Sequence, residues 1–368
     1  MSDRLRRLHA ECGQSPWLDN LKRDLLTSGE LARLRDSGVR GLTSNPTIFQ
    51  KAIQGSVSYD EQFRRLLAAG RSIDECYWEM VLADIAGALD VFAPVYDESS
   101  GGDGFVSVEV DPHLANDTAG TTAAALDLWS RVDRRNLMVK IPATRAGLPA
   151  IRAAIAAGVN VNVTLIFGLE RYRDVMEAFV SGLEDRMAAG GEIAGVASVA
   201  SFFVSRVDTE IDARLETIGT PDALELRGRA AVAQARLAYE DFRRVFTSER
   251  WSALSSCGAS VQRPLWASTS TKNPAYPDTL YVDSLIGPDT VNTLPDATLL
   301  AFADHGTPRR TVDEVGSDAG EVWSRLADVG VDVAAVADKL EREGLDSFVA
   351  SFDELLAALR DKSAGWAD

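Results

Sequence analysis

The chain alternates between short apolar runs and longer segments in which apolar residues recur every three or four positions. Runs of the first kind are typical of buried strands, and segments of the second kind are typical of amphipathic helices. We predict strands that end near Asp19, Asn45, Glu109, Lys140, Thr164, Phe203, Ser268 and Leu294. Eight strands that alternate with helical segments predict an α/β fold, the (β/α)8 TIM barrel.

Helical periodicity dominates the chain after the sixth and the last predicted strands. The pattern predicts one long helix over residues 221–251 and further helices at 297–304, 317–328, 333–343 and 346–359. No internal repeat or low-complexity linker divides the chain. We therefore predict a single domain over residues 1–368, with a barrel core over about 15–305 and extra helices in a C-terminal extension over about 306–368.

Lys140 interrupts the apolar strand predicted over residues 136–144. Leu137, Val139 and Ile141 share one face by the two-residue period of a strand, and Met138 and Lys140 share the other. If helices cover both faces, the ammonium must be paired, reach a wet cavity or lose its proton. A desolvated, neutral lysine is a nucleophile that forms Schiff bases. Alternatively, Lys140 lies on an edge strand and extends into solvent.

Valine alternates with asparagine and threonine over residues 159–164. In an enclosed barrel strand the valines would face the helices, and Asn160, Asn162 and Thr164 would point into the lumen beside Lys140. A buried amide without a hydrogen-bond partner costs about 1–3 kcal/mol, so the pattern predicts a polar network around a ligand. The alternative is an ordinary strand with one solvated face.

Composition limits the classes of protein that the chain can represent. Its 46% apolar and 25% charged residues are typical of a globular protein, and no apolar run approaches the length of about 20 residues that spans a bilayer. The net charge of −17 argues against nucleic acid and anionic membranes as partners. A local basic cluster can still bind a small anionic substrate.

The cysteines and the N-terminal segment bear on the compartment. Cys12, Cys76 and Cys257 are far apart and in no CxxC motif, which predicts free thiols rather than a disulfide framework or a zinc site. No apolar segment follows the basic N-terminal residues. We therefore expect a cytoplasmic protein.

Polar side chains concentrate at the predicted C-terminal strand ends, where barrel enzymes carry their active sites. Two carboxylates, an amine, two amides and several hydroxyls meet there, which solubility alone does not explain. Motifs for nucleotide binding, zinc and serine-hydrolase chemistry are missing, and we assign no catalytic role to the three histidines. The side chains are those of Asp19, Asn45, Glu109, Lys140, Asn162, Thr164, Ser201, Arg206 and Ser268.

Four motifs follow one another at residues 41–49 (GLTSNPTIF), 139–144 (VKIPAT), 159–165 (VNVNVTL) and 200–206 (ASFFVSR). Together they resemble the transaldolase family, in a longer bacterial branch, over about residues 17–295. The helical C-terminal segment resembles that branch only loosely.

The resemblance implies a class I mechanism without metal or cofactor. Lys140 matches the lysine that forms a Schiff base with the C2 ketone of a ketose phosphate. Glu109 matches the acid/base that works with Thr164 through a bound water, and Asp19 matches the carboxylate that takes the C4 hydroxyl proton as the C3–C4 bond breaks. The implied reaction moves a dihydroxyacetone unit from sedoheptulose 7-phosphate to glyceraldehyde 3-phosphate, giving erythrose 4-phosphate and fructose 6-phosphate in the non-oxidative pentose phosphate pathway.

The resemblance also implies a set of substrate-binding residues. Asn45 and Asn162 match amides that hold substrate hydroxyls, and Ser201 resembles a hydroxyl that hydrogen-bonds the substrate. Phe203 resembles a nearby aromatic wall, and Arg206 matches a phosphate-binding arginine.

The segment after the seventh predicted strand departs from the family pattern. Many members carry a second phosphate-binding arginine there, whereas this chain reads ASTSTKN over residues 267–273. We expect Ser268 and Lys272 to contact the phosphate together with Arg206, although a lysine is a point charge rather than a bidentate fork. Alternatively, Lys272 is only a surface loop residue.

Two other functions stay open. One is a lyase like the related fructose 6-phosphate aldolases, which release free dihydroxyacetone and carry glutamine at the position of Glu109. The other is a sugar-phosphate-binding barrel without catalysis, in which loss of Lys140, Glu109 or Asp19 is expected. In each case the predicted partners are small phosphosugars, bound by a monomer or homodimer.

Overall fold

The computed structural model describes residues 3–366, and within them eight parallel strands pair in chain order and close into a barrel. The predicted (β/α)8 TIM barrel is confirmed. The outermost residues of the predicted domain, 1–2 and 367–368, lie outside the described residues. The strands are β1 Gln14–Leu18, β2 Gly41–Thr43, β3 Val106–Glu109, β4 Leu137–Pro142, β5 Val161–Ile166, β6 Ser198–Phe203, β7 Gln262–Ala267 and β8 Thr290–Leu294.

Helices surround the barrel and continue beyond its last strand. None of the described helices is long and apolar enough to cross a membrane. A 3-10 helix covers Pro112–Asn116. The α-helices are α1 Arg4–Cys12, α2 Arg23–Thr27, α3 Glu30–Asp36, α4 Pro46–Gln54, α5 Asp60–Ala68, α6 Ile73–Glu98, α7 Thr118–Val132, α8 Gly147–Ala156, α9 Leu169–Ala188, α10 Ser205–Ile218, α11 Pro221–Leu224, α12 Ala230–Val245, α13 Glu249–Ser256, α14 Leu280–Ser284, α15 Asp296–His305, α16 Ala319–Asp328 and α17 Val333–Ala364.

The strand that carries Lys140 is enclosed on both faces. All six residues of β4 are buried, and the backbone partners of Lys140 are Glu109 on β3 and Asn162 on β5. Lys140 is 5% exposed, so the alternative of a lysine that extends into solvent is wrong. Every residue of β5 is buried as well, so the alternative of a solvated strand face at residues 159–164 is also wrong.

The single helix predicted over residues 221–251 is wrong, because this segment forms α11, α12 and the start of α13. Gly228 lies in the turn between the first two helices with φ +71°, a left-handed conformation that does not occur within a right-handed helix. Ser248 caps α13 by accepting a hydrogen bond from the Trp251 amide at 3.2 Å. Apolar residues keep the helical period across both turns, so the sequence pattern did not reveal that the helix is interrupted.

The two helices predicted at 333–343 and 346–359 are one helix, α17. The predicted break fell at Gly344, which lies buried inside α17. A Cβ atom at Gly344 would lie 2.9 Å from Leu165 Cδ2 and 3.6 Å from Arg206 Nη1. Gly344 therefore does not end the helix but lets it approach the end of β5 closely.

The C-terminal extension packs across the mouth of the barrel through α17. Ser351 on α17 hydrogen-bonds Thr47 on α4, with 2.7 Å between the hydroxyl oxygens. The ring of Phe352 packs edge-on against Tyr77 of α6 at a centroid distance of 5.1 Å. Since active sites of such barrels lie at the C-terminal ends of the strands, α17 contributes to the region where chemistry is expected.

Candidate active site

A pocket of about 140 Å³ lies at the C-terminal ends of the strands. Residues at the ends of β1, β2 and β4 to β8 contribute to it, together with α17. Glu109 and Asn162, from the predicted site, do not line it but contact the lining residues Lys140 and Ser201, respectively. The nine predicted site residues that line the pocket are Asp19, Asn45, Lys140, Thr164, Ser201, Phe203, Arg206, Ser268 and Lys272.

Lys140 and Glu109 form a buried ion pair at the base of the pocket. Their Nζ and Oε2 atoms are 3.2 Å apart, and neither side chain is more than 7% exposed. The Lys140 Nζ also donates a hydrogen bond to the Ser44 carbonyl oxygen at 3.2 Å. Burial raises the pKa of the Glu109 carboxyl above its usual range, although the charge of Lys140 opposes the rise. Glu109 is therefore suited to accept and return a proton.

Asp19 provides a second carboxylate, from the first strand of the barrel. Burial raises its pKa, while the charge of Lys140 and a hydrogen bond from Thr43 oppose the rise. The Thr43 hydroxyl donates to Asp19 Oδ1 at 3.0 Å and fixes the orientation of the carboxylate. The amine of Lys140 therefore interacts with two carboxyl groups, Glu109 and Asp19, and burial raises the pKa of both.

Asn162 joins a hydrogen-bonded layer that connects three strands. Its amide nitrogen donates to Ser107 Oγ on β3 at 3.0 Å, and its amide oxygen accepts from Ser201 Oγ on β6 at 2.7 Å. Asn162 is fully buried and Ser201 lines the pocket. The layer orients the Ser201 hydroxyl, which makes Asn162 a support for the floor of the pocket.

Asn160 does not lie beside Lys140, and that part of the sequence prediction is wrong. Its amide nitrogen donates to the carbonyl oxygens of Arg135 and Leu137, and its amide oxygen accepts from the Ala197 amide. These backbone groups stand at the beginnings of β4 and β6. Asn160 therefore precedes β5, and it satisfies backbone groups at the opposite end of the strands.

Thr164 ends the polar face of β5 with a hydroxyl that faces the pocket. It is fully buried, and its Oγ1 has no hydrogen-bond partner among residues 3–366. The β5–β6 register shifts between Val163 and Ile166, and Leu165 adopts φ +60°, a strained conformation for leucine. Strain and an unsatisfied polar atom together are typical of a position built for a ligand.

Basic groups gather at the outer side of the pocket. Arg206 follows β6, and its guanidinium carbon lies 5.5 Å from the centroid of the Phe203 ring. Lys272 Nζ donates to Ser270 Oγ at 2.5 Å, and the Ser268 and Ser205 hydroxyls are 3.0 Å apart. Burial lowers the pKa of Lys272, and the nearby charge of Arg206 lowers it further. Both cations line the pocket, which favours an anionic ligand there.

Several residues in the pocket or in contact with its predicted residues were not among the predicted site residues. Thr43 and Ser44 belong to the quoted 41–49 motif, which signalled Asn45 but not its neighbours. Ser107 alternates with Glu109 along β3, and this period could have identified it. Phe348 comes from α17, where helical periodicity predicts burial but not the pocket it faces. Ser270 and Thr293 also line the pocket.

These side chains define a class of site, namely an amine nucleophile with acid/base carboxyl groups at the C-terminal mouth of a (β/α)8 barrel. Such groups act on a carbonyl substrate by covalent and proton-transfer chemistry. No group of three or more His, Cys, Asp or Glu side chains within the described residues could hold a metal ion.

Comparison with known proteins identifies the family. The model of the Transaldolase/Fructose-6-phosphate aldolase family matches residues 16–359. The chain is 54% identical over 352 residues to the transaldolase of Parafrankia sp. (strain EAN1pec), with 95% of each chain covered. The transaldolase of Mycobacterium tuberculosis is 52% identical, covering 95% of this chain and 94% of the relative. The chain belongs to the transaldolase/fructose-6-phosphate aldolase family and is an enzyme of that family.

A third relative extends the same result. Transaldolase 1 of Streptomyces coelicolor is 54% identical over 359 residues, covering 96% of this chain and 93% of the relative. The resemblance predicted from four motifs is confirmed, and the family match continues past residue 295 into α17.

Proposed function

We propose that the chain is a transaldolase that moves a dihydroxyacetone unit from sedoheptulose 7-phosphate to glyceraldehyde 3-phosphate through a Schiff base on Lys140. The products are erythrose 4-phosphate and fructose 6-phosphate. The observation that carries the proposal is the buried Lys140 amine, 3.2 Å from Glu109 and in one pocket with Asp19.

Proton transfer between Lys140 and Glu109 prepares the nucleophile. The Glu109 carboxyl has a raised pKa, so it can take the proton of Lys140 and leave an uncharged amine. The amine attacks the C2 ketone, and Glu109 with the unpaired Thr164 hydroxyl then moves protons as water leaves and the iminium forms. The same groups act in reverse when the imine is hydrolysed.

Asp19 acts on the carbon chain once the iminium is formed. Its carboxylate takes the C4 hydroxyl proton as the C3–C4 bond breaks, and the iminium accepts the electron pair left on C3. Thr43 holds Asp19 by its hydrogen bond, so that the base stays directed at the same side of the pocket. When the acceptor aldehyde binds, Asp19 returns the proton to its oxygen as the new bond forms.

Arg206, Ser268 and Lys272 are proposed to bind the phosphate. All three line the pocket on the side opposite the N-terminal end of the barrel. Asn45, Ser201 and the supporting Asn162 hold substrate hydroxyls, and Phe203 forms a wall. Arg206 supplies a planar fork and Lys272 a point charge, so we expect Arg206 to set the geometry of phosphate binding.

The central test is covalent trapping at Lys140. After reduction with borohydride in the presence of fructose 6-phosphate, intact-mass analysis should show one dihydroxyacetone adduct, and peptide mapping should locate it on Lys140. Lys140→Ala should lose both labelling and transfer while its circular dichroism stays unchanged. Lys22→Ala, which removes an exposed lysine outside the pocket, is the matched control and should still be labelled. Labelling of a different lysine in the Lys140→Ala variant would refute the assignment.

The family also includes aldolases, and Glu109 favours transfer over release. An acid at this position can complete imine chemistry while the donor fragment waits for an acceptor. The two activities differ in an assay with fructose 6-phosphate alone. A lyase would release dihydroxyacetone continuously, whereas a transaldolase needs an acceptor aldehyde for turnover.

We further propose that the chain is a single domain with small phosphosugars as its partners, acting in the cytoplasm as a monomer or homodimer. Close packing of α17 on α4 and α10 supports the single domain. All three cysteines are free thiols, which suits a reducing compartment. Size-exclusion chromatography with light scattering distinguishes the monomer from the homodimer.

A further inference from the structure

The C-terminal helix α17 places an aromatic side chain on the reactive amine. Phe348 lines the pocket, is only 4% exposed, and holds its ring centroid 5.8 Å from Lys140 Nζ. We propose that Phe348 is a positioning residue that keeps water away from the Lys140-bound intermediate and so commits it to transfer rather than release. This inference rests on the proposed Schiff-base function.

The position of Phe348 is determined on both sides along the helix. One turn before it, Gly344 brings the helix backbone against Leu165 and Arg206, where a Cβ atom would approach Leu165 Cδ2 to 2.9 Å. One turn after it, Phe352 packs against Tyr77, and Ser351 hydrogen-bonds Thr47 at 2.7 Å. With both neighbouring turns held, the Phe348 ring has a defined place above the amine.

The ring covers a pocket whose other walls are mostly polar. Phe203 provides the second aromatic surface, and most of the other lining residues carry hydroxyl, amide or charged groups. Apolar surface beside a reactive intermediate excludes water and suppresses hydrolysis. Phe348 supplies this surface at the amine itself, and it comes from outside the barrel.

The intermediate at risk is the enamine left after C3–C4 cleavage. In transfer, C3 uses its electron pair to form a bond with the acceptor carbonyl carbon, and the carbonyl oxygen takes the proton from Asp19. In release, C3 takes a proton instead, water adds to C2, and the C2–N bond breaks to give free dihydroxyacetone and the Lys140 amine. Transfer also ends with hydrolysis at C2, so the two branches separate earlier, at C3. Water that reaches the enamine can deliver the proton to C3, which commits the intermediate to release.

The test compares Phe348→Ala with two controls, Phe348→Leu and Leu355→Ala. Leu355 is a fully buried residue of the same helix that does not line the pocket. The measured quantity is the ratio of free dihydroxyacetone released to dihydroxyacetone transferred, with fructose 6-phosphate as donor and erythrose 4-phosphate as acceptor. We expect Phe348→Ala to raise this ratio about tenfold or more through water entry. Phe348→Leu should restore most of the wild-type ratio, and Leu355→Ala should leave it unchanged.

Borohydride trapping at Lys140 is measured on the same samples. If wild-type protein is not trapped, the Schiff-base function fails, and the role of Phe348 fails with it. If trapping persists but the ratio in Phe348→Ala equals that of wild type, only the role of Phe348 is refuted. An equal rise in Leu355→Ala would refute it too, because general loosening of α17 would then explain the release.

Discussion

At the scale of single residues, Glu109 and Asp19 are the two acids that we propose transfer protons, and the surroundings of both are largely buried. Both line or border a site with little access to bulk water, and burial raises the pKa of each. Lys140 opposes both rises, so one amine is coupled to two carboxyl groups. A carboxyl group whose pKa is raised keeps its proton to a higher pH than a free glutamate or aspartate, which favours proton exchange with a substrate.

Replacement of Glu109 by glutamine tests this coupling. Glu109→Gln keeps the shape of the side chain but removes the proton shuttle, so we expect kcat for transfer to fall by about 10²-fold or more. The dependence of kcat/KM on pH should change with it. Because the pKa of Glu109 is raised, the wild-type profile should show an ionisation above the usual glutamate range of about 4.3, and the variant should lack it.

Single-turnover measurements show whether the loss of rate occurs in imine formation. Substrate binding should be little changed. If the variant forms the imine at the wild-type rate, the proposed role of Glu109 in proton transfer is contradicted.

At the scale of elements, α17 is attached to the barrel partly through a histidine. His113, in the 3-10 helix after β3, lies with Nδ1 2.8 Å from Asp111 Oδ1 and Nε2 3.2 Å from Asp353 Oδ1 on α17. Its ring also packs edge-on against Phe352 at 5.6 Å. The hydrogen bond with Asp111 raises the pKa of His113, and the charge of Asp353 adds to the rise.

This contact predicts a pH dependence of α17. Because the folded-state pKa is raised, the stabilisation is complete below the unfolded value of about 6.5 and disappears as pH rises through the folded-state value. His113→Gln should therefore lower the free energy of unfolding at pH 5.5 by up to about 1 kcal/mol, as the side chain is partly exposed. At alkaline pH the variant and wild type should be equal.

Hydrogen exchange of the α17 amides measures the effect locally. His305 serves as the control. It also lies between two carboxylates, but its partners, Asp278 and Asp304, are not on α17. His305→Gln should leave exchange in α17 unchanged at both pH values. Loss of α17 protection that is as large at alkaline pH as at pH 5.5 would count against the charged contact.

At the scale of the whole molecule, the two ends of the barrel serve different purposes. The C-terminal end contains the pocket, whereas the N-terminal end is held together by Asp103, which is 2% exposed. Its carboxylate accepts from Trp17 Nε1 and Arg40 Nε, each at 2.8 Å, and lies 3.5 Å from Arg263 Nη2. These partners come from β1, β7 and the segment before β2, so one carboxylate connects strands around the barrel.

Removal of this carboxylate should affect stability and not catalysis. Asp103→Ala leaves two largely buried arginines without their acid, which typically costs about 3–5 kcal/mol in the free energy of unfolding. Below the melting transition, kcat and KM should stay within about twofold of wild type, since chemistry belongs to the opposite end. Chemical denaturation and steady-state kinetics provide the two measurements, with the exposed Asp97→Ala as control. A large fall in kcat at full folding would show that the two ends are coupled.

Much of the fold could be predicted from the local sequence pattern, and particular residues show why. A parallel barrel strand is buried on both faces, so apolar runs such as the one around Lys140 stand out from amphipathic helices. Helix ends were less predictable. Gly228 lies in the turn between α11 and α12, whereas Gly344 lies inside α17, where the helix backbone packs closely against Leu165. Both are glycines in segments of helical periodicity, so the sequence pattern alone does not distinguish them.

The barrel, the family and the residue types at the strand ends could be predicted from the sequence, because they depend on short-range periodicity and on contiguous motifs. Two findings required the packed fold: Asn160 serves the backbone while Asn162 supports the pocket, and Phe348 lies beside Lys140. The physical reason is sequence separation. A side chain 208 positions away along the chain meets the amine only after the barrel closes and α17 packs across it, and no local pattern records that contact.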